Sequence, residues 1–423
     1  MQQFIRRLVG PATPPSHGRV ATAWVLTRIF AVACIWLTPR LLDDVDIYRG
    51  WLPYLHWGQF PVSDAKWQYP PGAAAALLAP EGLHLNYSVA FAVTCLIVDA
   101  AVMTALILAH ARRPAESRAG LWLWAVAAVV VGPIMYTRFD IVPAAFAVGV
   151  VLLATRPALA GASAALGFVV KVWPVALLLA LPRPSTRRAA VAFVATTAVS
   201  LALMSLRFSD SLSFLGNQRA RGLQVESTGA LPYELWTLVG GRMHSGLEYG
   251  SYQVLMAGAQ LLGTVLTLTG LALLALIAWW RLRGRLESVS PGDVAVTVVL
   301  VTVATSRVYS PQYNTWIIAV LAAALLSRRT RLRRVAVILA GVSLITQLVY
   351  PWFPYDLMDG NPPIVAVQCL RIIGLVVATV LAFRAIWPSN HAAIAPVAVV
   401  SDGDAQEESW TYYQDSRSPS ASR

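Results

Sequence analysis

The chain has 423 residues, of which 57% are hydrophobic and 13% charged, and its mean hydropathy is +0.60. Soluble domains carry about 25% charged residues, so this composition excludes a disordered chain and an ordinary soluble protein. A net charge of +12 would suggest a nucleic-acid surface on a soluble protein, but here the arginines cluster between apolar runs, where they set membrane orientation, and no nucleic-acid partner is expected.

The first apolar run able to cross about 30 Å of hydrocarbon is 20–38, preceded by Arg6, Arg7 and Arg19. It is long for a signal-peptide core and holds Arg28, so it reads as an uncleaved first span with a cytoplasmic N-terminus. Further spans are expected at 84–110, 119–137, 139–154, 158–171, 173–181, 189–206, 252–280, 293–306, 314–327, 335–350 and 364–387. Arginine clusters at 112–118, 156, 183–188, 281–285 and 328–334 lie between them. Placing every cluster inside gives about twelve crossings, with both termini cytoplasmic. The expected fold is all-α: a multi-pass domain of the plasma membrane over 1–387, surrounded by membrane lipids, and a polar, disordered cytoplasmic tail over 388–423. Its outer loops, with short helices, are 39–83, 207–251, 307–313 and 351–363, and function is sought there. Cys34, Cys95 and Cys369 lie in or beside apolar stretches without a Cys-x-x-Cys pair, which suggests neither a zinc site nor a disulfide framework.

The segments 158–171 and 173–181 are each too short to cross alone. Broken helices persist where the freed backbone and any charge face a polar cavity or packed protein, so Lys171 at the junction is expected to point into a wet pocket. The alternative is one tilted helix with Lys171 snorkelling. Arg28 and Asp99 fall at similar depth if the first two spans pack antiparallel, which predicts an intramembrane ion pair. Arg138 and Asp140 are close enough to pair with each other, and Arg307 to snorkel from its short span.

The first outer loop crowds Asp43, Asp44 and Asp46 into four positions directly after a span. Mutual repulsion raises the pKa of at least one unless a cation compensates, and a carboxylate at the mouth of a membrane cavity suits a general base. A solvated acidic loop is the plain alternative. Trp51, Trp57, Trp67 and Tyr69 follow among helix breakers, as at lipid interfaces or sugar-binding surfaces. His56, His84 and His244 are further outer-loop candidates for base or phosphate donor.

Asp44, Val45, Asp46, Ile47, Tyr48, then Gly58, Phe60, Pro61, then Tyr69, Pro70, Pro71, Gly72, Ala73 resembles the opening of the polyprenyl-phosphate-dependent GT-C glycosyltransferases. More narrowly it resembles glycosyltransferase family 87, whose known activities are mainly mannosyl transfer. Further stretches match in order: Arg138 to Pro143, Gly161 through Lys171 with Trp173 and Pro174, Gln218 to Ser227, and Ser310, Pro311, Gln312, Tyr313. The resemblance implies a GT-C-like fold and an inverting transfer, on the outer face, from a polyprenyl-phosphate sugar to a lipid-linked glycan or polysaccharide acceptor. It maps the catalytic base to Asp44, with Asp43 and Asp46 as alternates or helpers. The leaving phosphate needs a cation within reach. Of Lys171, Arg138, Arg219, Arg221 and Arg307, the favoured phosphate ligands are Arg219, Arg221 and Lys171; the alternative for the two arginines is pairing with Glu226 and Glu234. Tyr48, Tyr69, Gln312 and Tyr313 are the expected sugar or acceptor contacts. No cofactor is expected; the three aspartates could coordinate magnesium or manganese, but a lipid monophosphate donor does not strictly require a metal, so metal-independent catalysis is expected. A secondary transporter or lipid flippase, and a noncatalytic scaffold, are the competing readings. Against transport, most ionisable groups gather at the outer ends of the spans and no internal repeat is visible.

Overall fold

Apolar length and helix-breaking residues set the architecture of the computed structural model, which describes residues 17–211 and 222–388. Arg219, Arg221 and the tail from 389 onward lie outside the described residues. In chain order the helices are α1 (His17–Leu37), α2 (Asp43–His56), α3 (Ala73–Leu78), α4 (Tyr87–Ala111), α5 (Ala119–Ala125), α6 (Ala127–Val130), α7 (Ile141–Leu152), α8 (Pro157–Val170), α9 (Arg183–Arg207), α10 (Leu231–Leu238), α11 (Ala259–Leu282), α12 (Pro291–Ala304), α13 (Tyr313–Ala324), α14 (Arg333–Gln347), α15 (Pro354–Met358) and α16 (Pro362–Ala385). Proline, which lacks the N–H that a first turn leaves unbonded, opens α8, α12 and α16, while the Asn86 side chain caps α4 by accepting from the Ser88 N–H. One hairpin, β1 (Ser245–Glu248) with β2 (Ser251–Val254), interrupts the otherwise helical order. Its turn holds Tyr249 and Gly250 at φ 53° and 74°, the left-handed pair that a two-residue hairpin turn uses.

Six helices among the described residues are long and apolar enough to cross a membrane: α1, α4, α9, α11, α14 with its following turn, and α16. The protein is a multi-pass membrane protein. Where about twelve spans were expected, the remaining apolar segments form shorter helices. α7, α8, α12 and α13 have 12, 14, 14 and 12 residues. Such helices rise about 18–21 Å against about 30 Å of hydrocarbon.

These four helices share a destination. α7 starts beside Arg138 and Asp140, α8 stops at Lys171, α12 runs out at Thr305 to Arg307, and α13 starts beside Gln312. Their other ends meet the basic connections, which are laced together. The Ser117 N–H donates to Leu326 O at 2.8 Å, the Arg328 N–H to Glu116 at 2.7 Å, the Arg331 N–H to Asp293 at 3.0 Å and the Arg183 N–H to Glu287 at 3.1 Å. Because α12 and α13 are buried along nearly their whole length and stop short, they leave a recess at the end opposite the arginines. Irregular backbone is tolerated at membrane depth where it lines such a recess.

The expected Arg28–Asp99 pair forms at 2.7 Å, with both side chains buried. Asp99 also accepts from Tyr136 at 2.8 Å and Trp24 at 3.2 Å, while Arg28 donates to Trp124 O at 2.8 Å. Satisfying both charges in this way makes the pair tolerable at membrane depth and fixes α1 to its neighbours.

Two glycines on one face of α11 allow it to lie against the chain after α12. A Cβ on Gly270 would overlap the Thr305 hydroxyl, and one on Gly263 would stand 3.2 Å from Arg307 Cγ. Gly270→Val is therefore expected to destabilise the protein by about 1–3 kcal/mol through overpacking. Thermal unfolding in detergent measures this; an unchanged midpoint would mean that α11 is not seated there.

Glu234 on α10 is buried against α16, and burial pushes its carboxyl up to about 8, with Gln368 and Arg371 pulling it only part of the way back. The folded state thus holds a proton that the unfolded chain releases above an ordinary value of 4.5. Its contribution to stability is complete below that value and is lost as pH rises through about 8. The unfolding midpoint should fall over this window, and Glu234→Gln should flatten the fall.

Candidate active site

The recess is a cavity of about 840 Å³. Its walls come from the start of α2, the breaks before α7 and after α8, the segment around Glu226, the hairpin turn, the stretch from Thr305 to Tyr313, and the turn between α14 and α15.

The three loop aspartates do not converge. They fall in the first turn of α2, where one residue turns the helix by about 100°. Asp46 is 54% exposed and pairs with Arg49 at 3.0 Å, outside the cavity. Asp43 is exposed at the rim. Asp44 turns inward, is 16% exposed, and meets the Arg138 guanidinium. Burial raises its pKa above the ordinary 3.8; Arg138 opposes this, and Asp43 and Asp140 add to it. The outcome is a carboxylate more basic than a solvated one, oriented by a fixed cation.

Arg138 and Asp140 do not pair with each other, contrary to the sequence reading. They lie just ahead of α7, and each takes a partner from another element: Arg138 binds Asp44, while Lys171 Nζ meets Asp140 at 2.6 Å. Lys171 occupies the expected break. α8 stops because Lys171 is extended, at φ −155° and ψ 134°, and Pro174 prevents the helix from resuming directly. Its ammonium sits 4.8 Å from the Trp316 ring centre and between 5.4 and 5.6 Å from those of Tyr313, Phe139 and Tyr69. The ammonium thus lies against the Asp140 carboxylate within a surround of π faces, a setting that attracts a cation.

Of the expected sugar contacts, Tyr69 and Tyr313 are half-buried at the cavity wall, with Tyr313 stacked on Trp316 at 3.9 Å. Gln312 is buried, and its Oε1 lacks a partner among the described residues. Tyr48 also borders the cavity but is 1% exposed and packed between Trp51, Phe91 and Phe139, so its ring is mainly wall. Arg219 and Arg221, expected at the phosphate, lie outside the described residues. Arg307 reaches the cavity and donates to Gln260 at 2.8 Å and Thr264 at 2.7 Å on α11. His56 is occupied by Glu81 at 2.7 Å, and none of His56, His84 and His244 borders the cavity.

Sequence reasoning placed neither Arg40 nor Glu226 in the cavity and missed Arg371, which anchors Glu226. Arg40 lines the cavity with its guanidinium 4.8 Å from the Tyr355 ring centre. Glu226 lines it too and pairs with Arg371 at 3.0 Å; the loop arginines suggested as its partners lie outside the described residues. The available signal was Arg371 itself, an arginine inside the last apolar span.

The model of glycosyltransferase family 87 matches residues 67–311, more than half of the chain. The chain belongs to glycosyltransferase family 87. The family is of the GT-C, polyprenyl-phosphate-dependent type, and membership implies a transferase that takes a polyprenyl-phosphate sugar donor and a glycan acceptor. The family match includes Tyr69, Arg138, Asp140, Lys171, Glu226 and Arg307, and stops short of Asp44 on one side and Gln312 on the other. No curated protein and no solved structure matches.

Proposed function

We propose that this family 87 enzyme transfers a sugar, mannose by association with the family, from a polyprenyl monophosphate to a lipid-linked glycan or polysaccharide, with inversion at the anomeric carbon. The observation that carries this reading is Asp44. It is the aspartate of the loop cluster that turns inward with a raised pKa, into a cavity that also presents Arg138, Lys171 and Arg307. Asp44 takes the proton of an acceptor hydroxyl as that oxygen attacks the anomeric carbon. The bond from that carbon to the phosphate oxygen breaks, and the leaving phosphate keeps the electron pair. One carboxylate suffices for a single displacement. Lys171 and Arg307 are proposed to meet the charge growing on the phosphate; fixed cations in a recess shielded from bulk water act strongly on developing charge. The cavity is read as facing the extracytoplasmic side, with the described ends of the chain toward the cytoplasm; the basic connections at the opposite end support this orientation. A wall that includes Thr267, Leu271 and Leu274 of α11 gives the carrier tail an apolar path to the bilayer.

The test is incubation of purified protein with labelled polyprenyl-phosphate mannose and a membrane extract, followed by identification of the labelled product. A labelled glycolipid or glycan is the expected result; label that only crosses the bilayer would instead favour a flippase. Since Asp44 must be ionised to act, kcat/KM should rise with pH along a limb whose midpoint lies above 3.8, the ordinary carboxylate value. A midpoint at or below that value would remove Asp44 as the base.

A further inference from the structure

Arg371 is an intramembrane charge that the proposed reaction does not use. It is 0% exposed on α16, yet nearly all its donors are engaged. Nε donates to Thr346 Oγ1 at 2.9 Å, Nη2 to Tyr309 O at 3.0 Å, and Nη1 to Gln368 Oε1 at 2.9 Å and Glu226 Oε2 at 3.0 Å, while the guanidinium stacks 4.0 Å from the Tyr309 ring centre. One side chain thus ties the segment before Gln312 to the loop that carries Glu226.

Glu226 lines the cavity at 13% exposure, and its second carboxylate oxygen has no partner among the described residues. Gln312 on the same cavity also has an unmet amide atom; whichever way that amide is turned, it presents a hydrogen-bonding group without a partner among the described residues. A carboxyl oxygen whose charge is already met by Arg371, beside an unmet amide, offers hydrogen-bonding atoms rather than net charge and calls for a ligand rich in O–H donors. We propose that Glu226 and Gln312 form a subsite for the hydroxyls of a pyranose, with Arg371 as the positioning residue that aims Glu226. Arg371 does so by holding the carboxylate through Nη1 and by fixing the backbone at Tyr309, three residues before Gln312. This deepens the transferase reading by naming the group that recognises sugar, and the ligand is either the sugar on the donor or a sugar of the acceptor.

The test uses the full chain in nanodiscs. Binding of polyprenyl-phosphate mannose and of sugar-free polyprenyl phosphate is followed by quenching of the cavity tryptophans, and donor and acceptor KM are measured in parallel. Glu226→Gln keeps shape and removes charge. If the subsite holds the donor sugar, Glu226→Gln weakens polyprenyl-phosphate mannose about tenfold or more and leaves the sugar-free lipid as tight or tighter. If it holds the acceptor, donor binding is unchanged and acceptor KM rises by a similar factor. All constants within twofold of wild type would overturn the assignment. Arg371→Lys keeps charge but loses the fork, and should reproduce the Glu226→Gln loss with little further effect in the double variant. A lower unfolding midpoint with unchanged binding would make Arg371 purely structural. Wild-type protein that binds the sugar lipid through Glu226 but transfers nothing removes the transferase reading alone; transfer and binding indifferent to Glu226→Gln remove this subsite alone.

Discussion

Asp44→Asn is expected to slow sugar transfer about 10²–10⁴-fold while donor lipid still binds, because a general base contributes a factor of that order. Asparagine retains the shape and an oxygen for Arg138 but takes no proton. The substitution also leaves a guanidinium facing a neutral partner, so unfolding must be followed alongside activity. Asp43→Asn and Asp46→Asn provide the contrast: one side chain sits at the rim and the other is bound to Arg49 outside the cavity, so both variants should stay within about threefold of wild type. An Asp44→Asn protein that folds and keeps more than a tenth of its turnover would eliminate Asp44 as the base, and an equal loss in all three variants would point to the charge of the loop rather than to one carboxylate.

The parts of this site that were legible in the sequence are those where a local rule meets a local segment. Proline and a charge inside an apolar run marked the break at Lys171, and the depth of Arg28 and Asp99 in their spans matched them as a pair. The order of motifs carried the family. What stayed hidden depends on rotation and on distant partners. Three aspartates in four positions are equivalent as a string, and only the helical turn of α2 separates Asp44 from Asp46. Arg138 and Asp140 look like mates because they are two residues apart, yet Asp44 and Lys171 claim them from other elements. Span counting is open to a related ambiguity: apolar length registers burial as readily as lipid contact, and α12 and α13, apolar throughout, are buried along nearly their whole length.

Lys171 separates structural from chemical roles most sharply. Lys171→Met is expected to cost about 3–5 kcal/mol of stability, because Asp140, 3% exposed, would keep a buried charge without its cation. Asp140→Asn should cost somewhat less, since Lys171 retains the surrounding aromatic faces. The double variant Asp140→Asn with Lys171→Met removes both charges and should recover most of the lost stability. If Lys171 serves only to neutralise Asp140, that double variant also recovers transfer. If Lys171 stabilises the departing phosphate, transfer stays down about 10²–10³-fold in a protein that melts almost normally. Arg138 does not compensate in that case, because it is committed to Asp44, and Arg307, held on α11 by Gln260 and Thr264, supplies its own share of the charge but not that of Lys171. Near wild-type turnover in the stable double variant would move the phosphate away from Lys171 and toward the α11 side of the cavity.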